Sequence, residues 1–430
     1  MNILITGASG FIGSHLTNAL INQGHQVTAA NHKISVNKIP NQSIKTIECD
    51  FNNDTTPEKW INRLDNIDIV INAVGIIKET KTQKFKIIHT DTPIALFKAC
   101  EITAVKKIIQ ISALGADESA FSQFHISKKI ADNLLMTLNI DWVVIMPSVV
   151  FGSGANSMNL FKAMAALPIT PLVATGNQLI QPIHINDFCA AVIKLVKHEH
   201  YRNIKIAFVG ADEISLKNLF ILLKKWLSIS SYHFVQVPYS IVLLLSKVSD
   251  LLPVSSITSD SIKMLHHGNV SNVAAFTHYF GFKPLSISEA LRQIPAHQAD
   301  RWQAKLIWLK PLLRISIAFV WIFTGVTSLF MYPLESSYAL LKQVGITTQL
   351  AAIVLYSAAL MDFLLGLATL FNYRLKQTGL IQISIISAYT IIISLFLPEQ
   401  WLHPFGAISK NLPLILASLI IIILHDKNQE

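Results

Sequence analysis

Two hydrophobic patterns divide the chain near residue 300. Over the first 146 residues, short runs rich in Ile and Val alternate with longer stretches of mixed apolar and polar residues. The runs predicted as strands are 2–6, 26–30, 46–48, 68–72, 107–112 and 142–146. Strands that alternate with helices at this spacing form βαβ units, and their continuous apolar character indicates a sheet covered on both faces. The pattern therefore predicts an α/β fold with a doubly wound parallel sheet.

From residue 147 to about 295 the pattern is less regular. It contains proline-punctuated loops, a strand at 204–209 and an apolar helix at 216–227. We expect a small substrate cap here, mainly 147–295, so that the first domain covers 1–295. Residues 239–252 are strongly apolar but too short, with Lys247 and Asp250, to span a bilayer. Two interpretations stay open for them: a core or interface-lying helix, and a helix that touches the membrane.

Beyond Arg301 the pattern is that of a membrane protein. The predicted spans are 312–331, 350–371, 380–397 and 412–424. The first three approach the length that crosses hydrocarbon. The fourth is only about 20 Å long as a helix, but Lys410 and His425 can extend from its ends to the interface. We therefore expect a transmembrane domain of four helices at 312–425.

Composition and charge agree with this division. The chain is 51% hydrophobic and 14% charged, with a mean hydropathy of +0.45. These values exclude a disordered, fibrous or purely soluble protein. The net charge of +9 includes no arginine-rich stripe, so we expect no nucleic-acid partner. The three cysteines are far apart and the histidines form no ligand-like arrangement, so neither a disulfide framework nor a metal site is predicted.

The basic residues near the spans predict the orientation. They are Arg301, Lys305, Lys310, Arg314, Arg374, Lys376 and Lys427, and the alternate loops carry only Lys342 and Lys410. Under the positive-inside rule both termini are cytoplasmic. Residues 1–5 lack a basic leader and enter a glycine turn directly, which indicates a first strand and not a signal peptide. We expect a multi-pass protein of the cytoplasmic (inner) membrane.

The candidate chemistry begins at the first turn, Thr6-Gly7-Ala8-Ser9-Gly10-Phe11-Ile12-Gly13. Gly7 allows the tight turn, Gly10 lets the backbone approach a pyrophosphate, and Gly13 lets the helix pack closely on the sheet. The helix N-terminus then faces the anion. This glycine spacing after a first strand predicts nucleotide binding.

With this TGxxGxxG segment the chain resembles the extended and atypical short-chain dehydrogenase/reductases, which have a Rossmann fold. Further segments are similar to the branch that includes a dinucleotide-binding accessory subunit of respiratory complex I. They are Cys49-Asp50-Phe51, Asn72-Ala73-Val74-Gly75, the run 111–117, Met146-Pro147-Ser148-Val149-Val150-Phe151-Gly152 and the run 181–187. The resemblance covers roughly residues 1–200.

The resemblance implies a set of cofactor-binding residues. They are Gly7, Ser9, Gly10, Phe11, Ile12, Gly13, Asn31, His32, Lys33, Asp50, Phe51, Ala73, Val74, Gly75, Lys128, Pro147 and Val149. The second strand ends in Asn31, His32 and Lys33, without the carboxylate that binds the ribose hydroxyls of NAD. This favours NADP(H). If Lys33 is only a solvated loop charge, either cofactor binds.

The chain departs from the family at the catalytic pair. The family has Tyr and Lys four residues apart on one helix face, and here the run 127–132 aligns Lys128 with the lysine and Phe124 with the tyrosine. Phenylalanine has no proton to give. If the register slips by one residue, His125 and Lys129 become the pair. Ser112 can hydrogen-bond a substrate carbonyl or the nicotinamide amide, although a serine that ends a strand is often only a turn former. The candidate catalytic residues are therefore Lys128, Ser112 and His125.

The membrane half resembles the DoxX-like family, through Trp321-Ile322-Phe323-Thr324-Gly325-Val326-Thr327-Ser328-Leu329 and its four-span layout. One relative of that kind donates electrons to quinone. Asp362 lies in the second span, where an ionisable side chain is costly. It has either a structural role or a role in a proton or quinone site.

These features give one leading hypothesis and two alternatives. The leading one is a membrane-anchored NAD(P)-binding oxidoreductase that reduces an apolar or membrane-resident substrate of the quinone or prenyl-carbonyl class. The first alternative, based on Phe124, is a non-catalytic scaffold or redox sensor that binds the cofactor. Such a protein would have a membrane protein complex as its partner. The second, a nucleotide-sugar epimerase or dehydratase, is disfavoured because that chemistry needs the missing tyrosine.

Overall fold

The computed structural model describes residues 1–32, 44–250, 258–404 and 406–425, without the side chains of 248–250 and 348. Predicted site residue Lys33 lies outside these ranges. The chain divides into two compact units, Met1–Ala304 and Lys305–Glu430.

The first unit is built on a central seven-stranded sheet with three small two-stranded sheets beside it. The strands are β1 Asn2–Thr6, β2 Gln26–Asn31, β3 Ile44–Glu48, β4 Ile69–Asn72, β5 Lys107–Ile111, β6 Asp141–Pro147, β7 Val150–Phe151, β8 Ile169–Val173, β9 Leu179–Ile180, β10 Ile183–His184, β11 Ile204–Phe208, β12 Ile214–Ser215 and β13 His233–Val237. The predicted strands are all present, with ends shifted by no more than two residues.

The central sheet is parallel throughout, in the order β11-β6-β5-β4-β1-β2-β3. The chain order reverses between β1 and β4, and ligands of such sheets bind at the carboxyl ends of the strands beside this point. The predicted doubly wound fold is confirmed.

The helices of the first unit cover both faces of this sheet and also make up most of the region predicted as a cap, 147–295. They are α1 Phe11–Asn22, α2 Glu58–Ile61, α3 Thr92–Ile102, α4 Gln123–Leu135, α5 Asn156–Ala165, α6 Ile185–Lys197, α7 Leu216–Trp226, α8 Tyr239–Asp250, α9 Ser259–His267, α10 Val273–Phe280 and α11 Ile287–Gln293, with a π-helical turn at Lys86–Asp91.

Two cores lie on opposite sides of the sheet because strand side chains alternate between its faces. On β1, Ile3 and Ile5 belong to the core with α1 and α6, whereas Leu4 belongs to the core with α3 and α4. A third core lies in the cap, where α5, α7 and α11 pack together. Lys162 of α5 there forms an ion pair of 2.9 Å with Asp300 and lies over the ring of Trp226.

The second unit is helical. It contains α12 Gln298–Val326, whose first residues belong to the first unit, then α13 Leu334–Gln343, α14 Thr348–Leu370, α15 Leu375–Phe396 and α16 Asn411–Leu424, with a π-helical turn at Thr327–Met331 and a 3₁₀ turn at Pro398–Leu402. Within the described residues, three helical segments are long and apolar enough to cross a membrane, at Gln298–Met331, Gln349–Leu370 and Leu375–Phe396. The predicted fourth span is the shorter apolar helix α16, and α13 lies outside every predicted span.

Glycines allow the membrane helices to approach closely. A Cβ at Gly325 of α12 would lie 2.7 Å from the Ala359 carbonyl oxygen, and one at Gly366 of α14 would lie 2.7 Å from the Ile322 nitrogen. These are packing positions, as small residues in membrane helices commonly are.

Candidate functional site

The glycine turn between β1 and α1 forms a cradle of backbone N–H groups. Gly7 has φ +69°, and a Cβ at Gly13 would lie 2.1 Å from the Gly7 carbonyl oxygen, so helix and turn are in direct contact. Helix α1 begins after Gly10, and no described side chain caps it. Its first N–H groups, from Phe11 onward, and the positive end of the helix dipole are therefore available to an anion.

The end of β2 lies beside this cradle. The Ser9 N–H donates to Asn31 Oδ1 at 2.9 Å, so Asn31 fixes the turn. His32 is exposed, and its Nδ1 lies 3.4 Å from Asp50 Oδ1. Burial raises the pKa of Asp50, but hydrogen bonds from Asn52 and Asn53 and the nearby His32 outweigh burial and lower it. A carboxylate therefore lies at the end of β2, although β2 itself supplies none.

The remaining predicted cofactor contacts differ in accessibility. Phe51 is buried with its ring 5.7 Å from that of Trp60, and its carbonyl accepts a hydrogen bond from Thr92, so it is largely a core residue. Ala73 and Val74 pack against Gly7, within 3.0 and 3.1 Å of a Cβ built there. Gly75 follows them, facing Lys128.

Pro147 is the last residue of β6, and Val149 follows it just before β7. The Pro147 carbonyl accepts from the Leu114 N–H at 2.9 Å, and the Val149 carbonyl accepts from the Ile183 N–H at 3.0 Å. Hydrogen bonds therefore hold the backbone of both residues in place.

A buried row of polar side chains crosses the sheet near the carboxyl ends of its strands. Thr6 donates to Asn72 at 2.6 Å, and Asn72 donates to Gln110 at 2.7 Å. The Ser112 hydroxyl donates to Asp132 of α4. In this arrangement the Ser112 proton is directed to Asp132, and its oxygen can still accept a hydrogen bond.

Helix α4 places Lys128 at the centre of the site. Its Nζ donates to the Ile111 carbonyl at 3.0 Å and lies 3.5 Å from a Cβ built on Gly75. Burial lowers the pKa of Lys128 to about 8, and the neighbouring Asp132 carboxylate only partly opposes this. Nζ also lies 5.8 Å from the centre of the Phe124 ring.

Phe124 occupies an apolar cluster at this position. The cluster consists of Phe85, Ala113 and Phe124, with Ile76 and Met264 packed against it. A group next to Lys128 is therefore surrounded by hydrocarbon and aromatic rings.

His125 points elsewhere. Its ring lies over Gly115, with Cε1 3.2 Å from a Cβ built there, and neither ring nitrogen meets a hydrogen-bond partner among the described residues. Burial lowers the pKa of His125, and Asp117 partly opposes this effect. Lys129 pairs with Glu118 at 2.7 Å. The structure thus buries Lys128, whereas Lys129 forms an ion pair with Glu118.

Sequence reasoning missed His89, which lies in the π-helical turn. Its Nε2 accepts the Ile76 N–H at 3.0 Å, so its proton is on Nδ1, which lies 3.0 Å from Ser127 Oγ. Burial, and then the charge of Lys128, lower the pKa of His89 to about 2. Its ring also packs on Phe85 and Phe124. The only sequence signal was a histidine in an apolar helix.

A cleft of about 860 Å³ lies beside the apolar cluster and shares Phe85 with it. It is bounded by the loop around Ile77, one face of α4 with Ile126 and Ile130, and the start of α9 at Thr258. Its lining mixes apolar side chains with polar ones.

Fold and site together define a nucleotide-binding domain of the short-chain dehydrogenase/reductase type joined to a membrane domain. Comparison with known families specifies both parts. Residues 3–207 match the NAD dependent epimerase/dehydratase family, and residues 318–419 match the DoxX-like family. The first part of the chain is thus similar to the epimerase/dehydratase family and the last part to the DoxX-like family, and the predicted resemblance to both families is confirmed.

Several curated proteins are similar to the first part of the chain. A ceramide reductase of Caulobacter vibrioides is 23% identical over 212 residues, which are 49% of this chain and 65% of that protein. Subunit 9 of the NADH dehydrogenase [ubiquinone] 1 alpha subcomplex of Rattus norvegicus is 23% identical over 317 residues, 69% of this chain and 81% of that subunit. The chain thus spans slightly less than two thirds of the ceramide reductase.

Solved structures share the fold. A nucleoside-diphosphate-sugar epimerase of Staphylococcus aureus covers 68% of this chain with all of its own, at a TM-score of 0.55 and 19% identity. UDP-glucuronic acid 4-epimerase of Bacillus cereus, solved with UDP-glucuronic acid and NAD, covers 71% of this chain with all of its own, at a TM-score of 0.54 and 20% identity. At 19 and 20% sequence identity, these similarities show a shared fold and nothing beyond it.

Proposed function

We propose that the chain is a membrane-anchored NAD(P)-dependent oxidoreductase that reduces an apolar carbonyl of the quinone or prenyl class taken from the bilayer. The observation that carries the proposal is the buried Lys128 ammonium beside the cluster of Phe85, Ala113 and Phe124. Apolar walls with one protonated group suit a hydrophobic carbonyl compound. The name of the Caulobacter relative, ceramide reductase, supports a lipid as substrate.

The residues present fit a dinucleotide. The N–H groups that follow Gly10 would hold the pyrophosphate, and the space over Gly75, next to Lys128, would hold the nicotinamide end. When bound, the nicotinamide supplies the hydride. The rest of the chemistry depends on the protein's own residues.

Lys128 Nζ is the proposed proton source. Reduction of a carbonyl places a hydride on carbon and a proton on oxygen, so a donor is needed. Phe124 has no such proton, the Ser112 hydroxyl donates to Asp132, and the His89 Nδ1–H faces Ser127. With a pKa of about 8, Lys128 carries a proton at neutral pH and releases it at small cost, and solvent then restores it.

We test this with the full chain in lipid nanodiscs, supplied with reduced cofactor and a panel of a long-tailed quinone and a prenyl aldehyde. Loss of the reduced-nicotinamide absorbance should follow addition of one of these substrates. Lys128→Met should abolish turnover, whereas Lys129→Met, which alters a lysine paired with Glu118 at the surface, should retain it. Tight cofactor binding by the wild-type chain without turnover on any member of the panel would reject the proposal.

For the cofactor we propose NAD(H) ahead of NADP(H), the reverse of the sequence-based preference. Asp50 lies 3.4 Å from His32, where a 2′-phosphate would meet its negative charge. NADP(H) is the second candidate, because His32 can contact a phosphate. Asp50→Asn should shift the ratio of the two dissociation constants toward NADP(H) by about fivefold to tenfold, measured by calorimetry. Asp65→Asn is the control, and an unchanged ratio in Asp50→Asn would exclude Asp50 as the determinant.

A non-catalytic scaffold or redox sensor is the second candidate function. The observation that favours it is that the positions of the family's proton donor and its serine are both engaged, Phe124 in the apolar cluster and Ser112 with Asp132. Such a protein would bind cofactor with the same residues and show no turnover. The experiment on nanodiscs separates the two candidates.

We further propose that the chain is a multi-pass protein of the cytoplasmic membrane, with residues 1–295 on the cytoplasmic side and the membrane domain at 312–425. The support is the position of the basic residues around the spans.

A further inference from the structure

Helix α8, Tyr239–Asp250, exposes apolar side chains on one of its faces. Ile241, Leu244 and Leu245 are 47, 64 and 62% exposed, whereas Ser246 is only 3% exposed. Positions i, i+3 and i+4 share one helix face, so the three exposed side chains form a continuous apolar strip. In a soluble protein this strip would face the core, and here it faces outward.

The helix has few charges. Its described side chains carry one, the exposed Lys247, and Asp250 stands at its C-terminal end. An exposed apolar face on a helix with few charges suits a position in the surface of a bilayer.

Helix α8 is linked to the candidate site through α9. The Tyr239 ring packs on His266 of α9 at 4.1 Å, and His267 stacks on Phe121 at 4.2 Å. Met264 of the same helix packs against the cluster that contains Phe124. The first residues of α9 line the cleft of about 860 Å³. The outward strip and the site therefore belong to one pair of packed helices.

We propose that α8 lies in the bilayer surface and that the α8–α9 pair is the entry by which a membrane-resident substrate reaches the cleft; the second half of this statement rests on the proposed function. We assign the outward strip of α8 to the bilayer because the first unit continues through α12 into a candidate span at Gln298–Met331. This link keeps the bilayer at a high effective concentration, which no free partner matches. Of the two interpretations of residues 239–252, this position corresponds to the helix that touches the membrane.

The contact is tested with a polarity-sensitive fluorophore on Leu244→Cys in the full chain, reconstituted in nanodiscs. The native cysteines Cys49, Cys100 and Cys189 are buried, so the label is selective. We expect blue-shifted emission and quenching by lipids with spin-labelled tails, and neither effect at Asp65→Cys. Emission equal to that control would overturn the proposal. A blue shift that lipid-borne quencher does not affect, and that depends on the number of chains per disc, would assign the strip to a second copy and also overturn it.

The entry is tested by kinetics. Leu244→Glu combined with Leu245→Glu should raise KM for a long-tailed substrate about tenfold while leaving KM for a short-tailed analogue within about twofold, because only the first must leave the bilayer. Ile102→Glu, at an isoleucine that is 66% exposed, is the matched control. Equal KM changes for both substrates would overturn the entry role. Lipid quenching at position 244 without turnover on any substrate would leave the membrane contact standing and reject the proposed function.

Discussion

Phe124 and Lys128 lie on one face of α4, where the family has its proton-donating tyrosine and lysine. If this register is correct, Phe124→Tyr places a hydroxyl close to Lys128 Nζ, which is 5.8 Å from the present ring centre. A positioned acid contributes about 10²-fold or more. We expect carbonyl reduction to rise by at least about tenfold, measured as kcat with a prenyl aldehyde.

The control for this substitution is Phe121→Tyr, an exposed aromatic residue just before the same helix. No gain in Phe124→Tyr, or an equal gain in Phe121→Tyr, would contradict the assigned position.

Lys128 also predicts opposite effects of pH on activity and on stability. Its pKa is about 8 in the folded chain, below its ordinary value of 10.5. Turnover that needs the Nζ proton should fall above pH 8. Between the folded and unfolded values the unfolded state binds more protons, so the Lys128 contribution makes the free energy of unfolding rise over the same window. Activity should therefore fall without unfolding, and a decline that coincides with loss of the thermal transition would contradict this account.

His89 contributes in acid. Its pKa of about 2 lies below the ordinary value of 6.5, so the unfolded state takes up its proton first as the pH falls. Stability that depends on neutral His89 is complete above pH 6.5 and is lost progressively below it. The thermal midpoint of the full chain should therefore fall less between pH 6.5 and pH 4 in His89→Gln, whose amide can replace both hydrogen bonds. An equal fall of the thermal midpoint with pH in His89→Gln and in the wild-type chain would show that His89 is not the titrating group.

At the scale of elements, the turn before α1 provides a graded test of the cradle. A Cβ at Gly13 would lie 2.1 Å from the Gly7 carbonyl oxygen, whereas one at Gly10 would lie 3.2 Å from the same atom. Gly13→Ala must move the helix away from the turn and should weaken dinucleotide binding by about 100-fold or more, because the N–H groups lose their common direction.

Gly10→Ala requires a shift of a few tenths of an ångström and should have a much smaller effect. Calorimetry of the full chain in detergent, with circular dichroism to verify folding, measures both variants. Equal affinity in the two would show that the turn does not hold the ligand.

Most elements of the first unit could be predicted from the sequence, because strands buried on both faces appear as continuous Ile and Val. Local pattern alone did not give the polar site positions: Asp50 was named through the family resemblance, and His89 was missed. Asp50 comes from β3 to the end of β2 and His89 comes from a π-helical turn to Lys128, and both approaches are set by tertiary contacts that no local pattern encodes. The outward position of the α8 strip was also invisible, since an apolar helix has the same sequence signature whether its strip faces inward or outward.

At the scale of the whole molecule, the topology depends on whether the short apolar helix α16 crosses the membrane. Helix α16 has 14 residues, about 21 Å at the standard rise, against roughly 30 Å of hydrocarbon. We expect it to cross because the basic residues Lys410 and His425 flank it, so a reporter at the C-terminus should lie on the same side as one at the N-terminus. The side of each terminus is measured with reporter enzymes that are active on only one side of the membrane. A fusion after Gly345 is the control for the opposite side. Termini on opposite sides would show three spans.

Helix α12 has a practical consequence for anyone who divides this chain. The hydrophobic pattern of the sequence suggests cutting near residue 295, but Asp300 pairs with Lys162 of α5, and Arg301 donates to Ser228 at 3.0 Å. An expression fragment that stops at 295 discards both contacts and leaves the Lys162 ammonium, whose side chain is only 10% exposed, without its carboxylate. A fragment extended to Ala304 keeps them, and it should give the higher yield of monodisperse material.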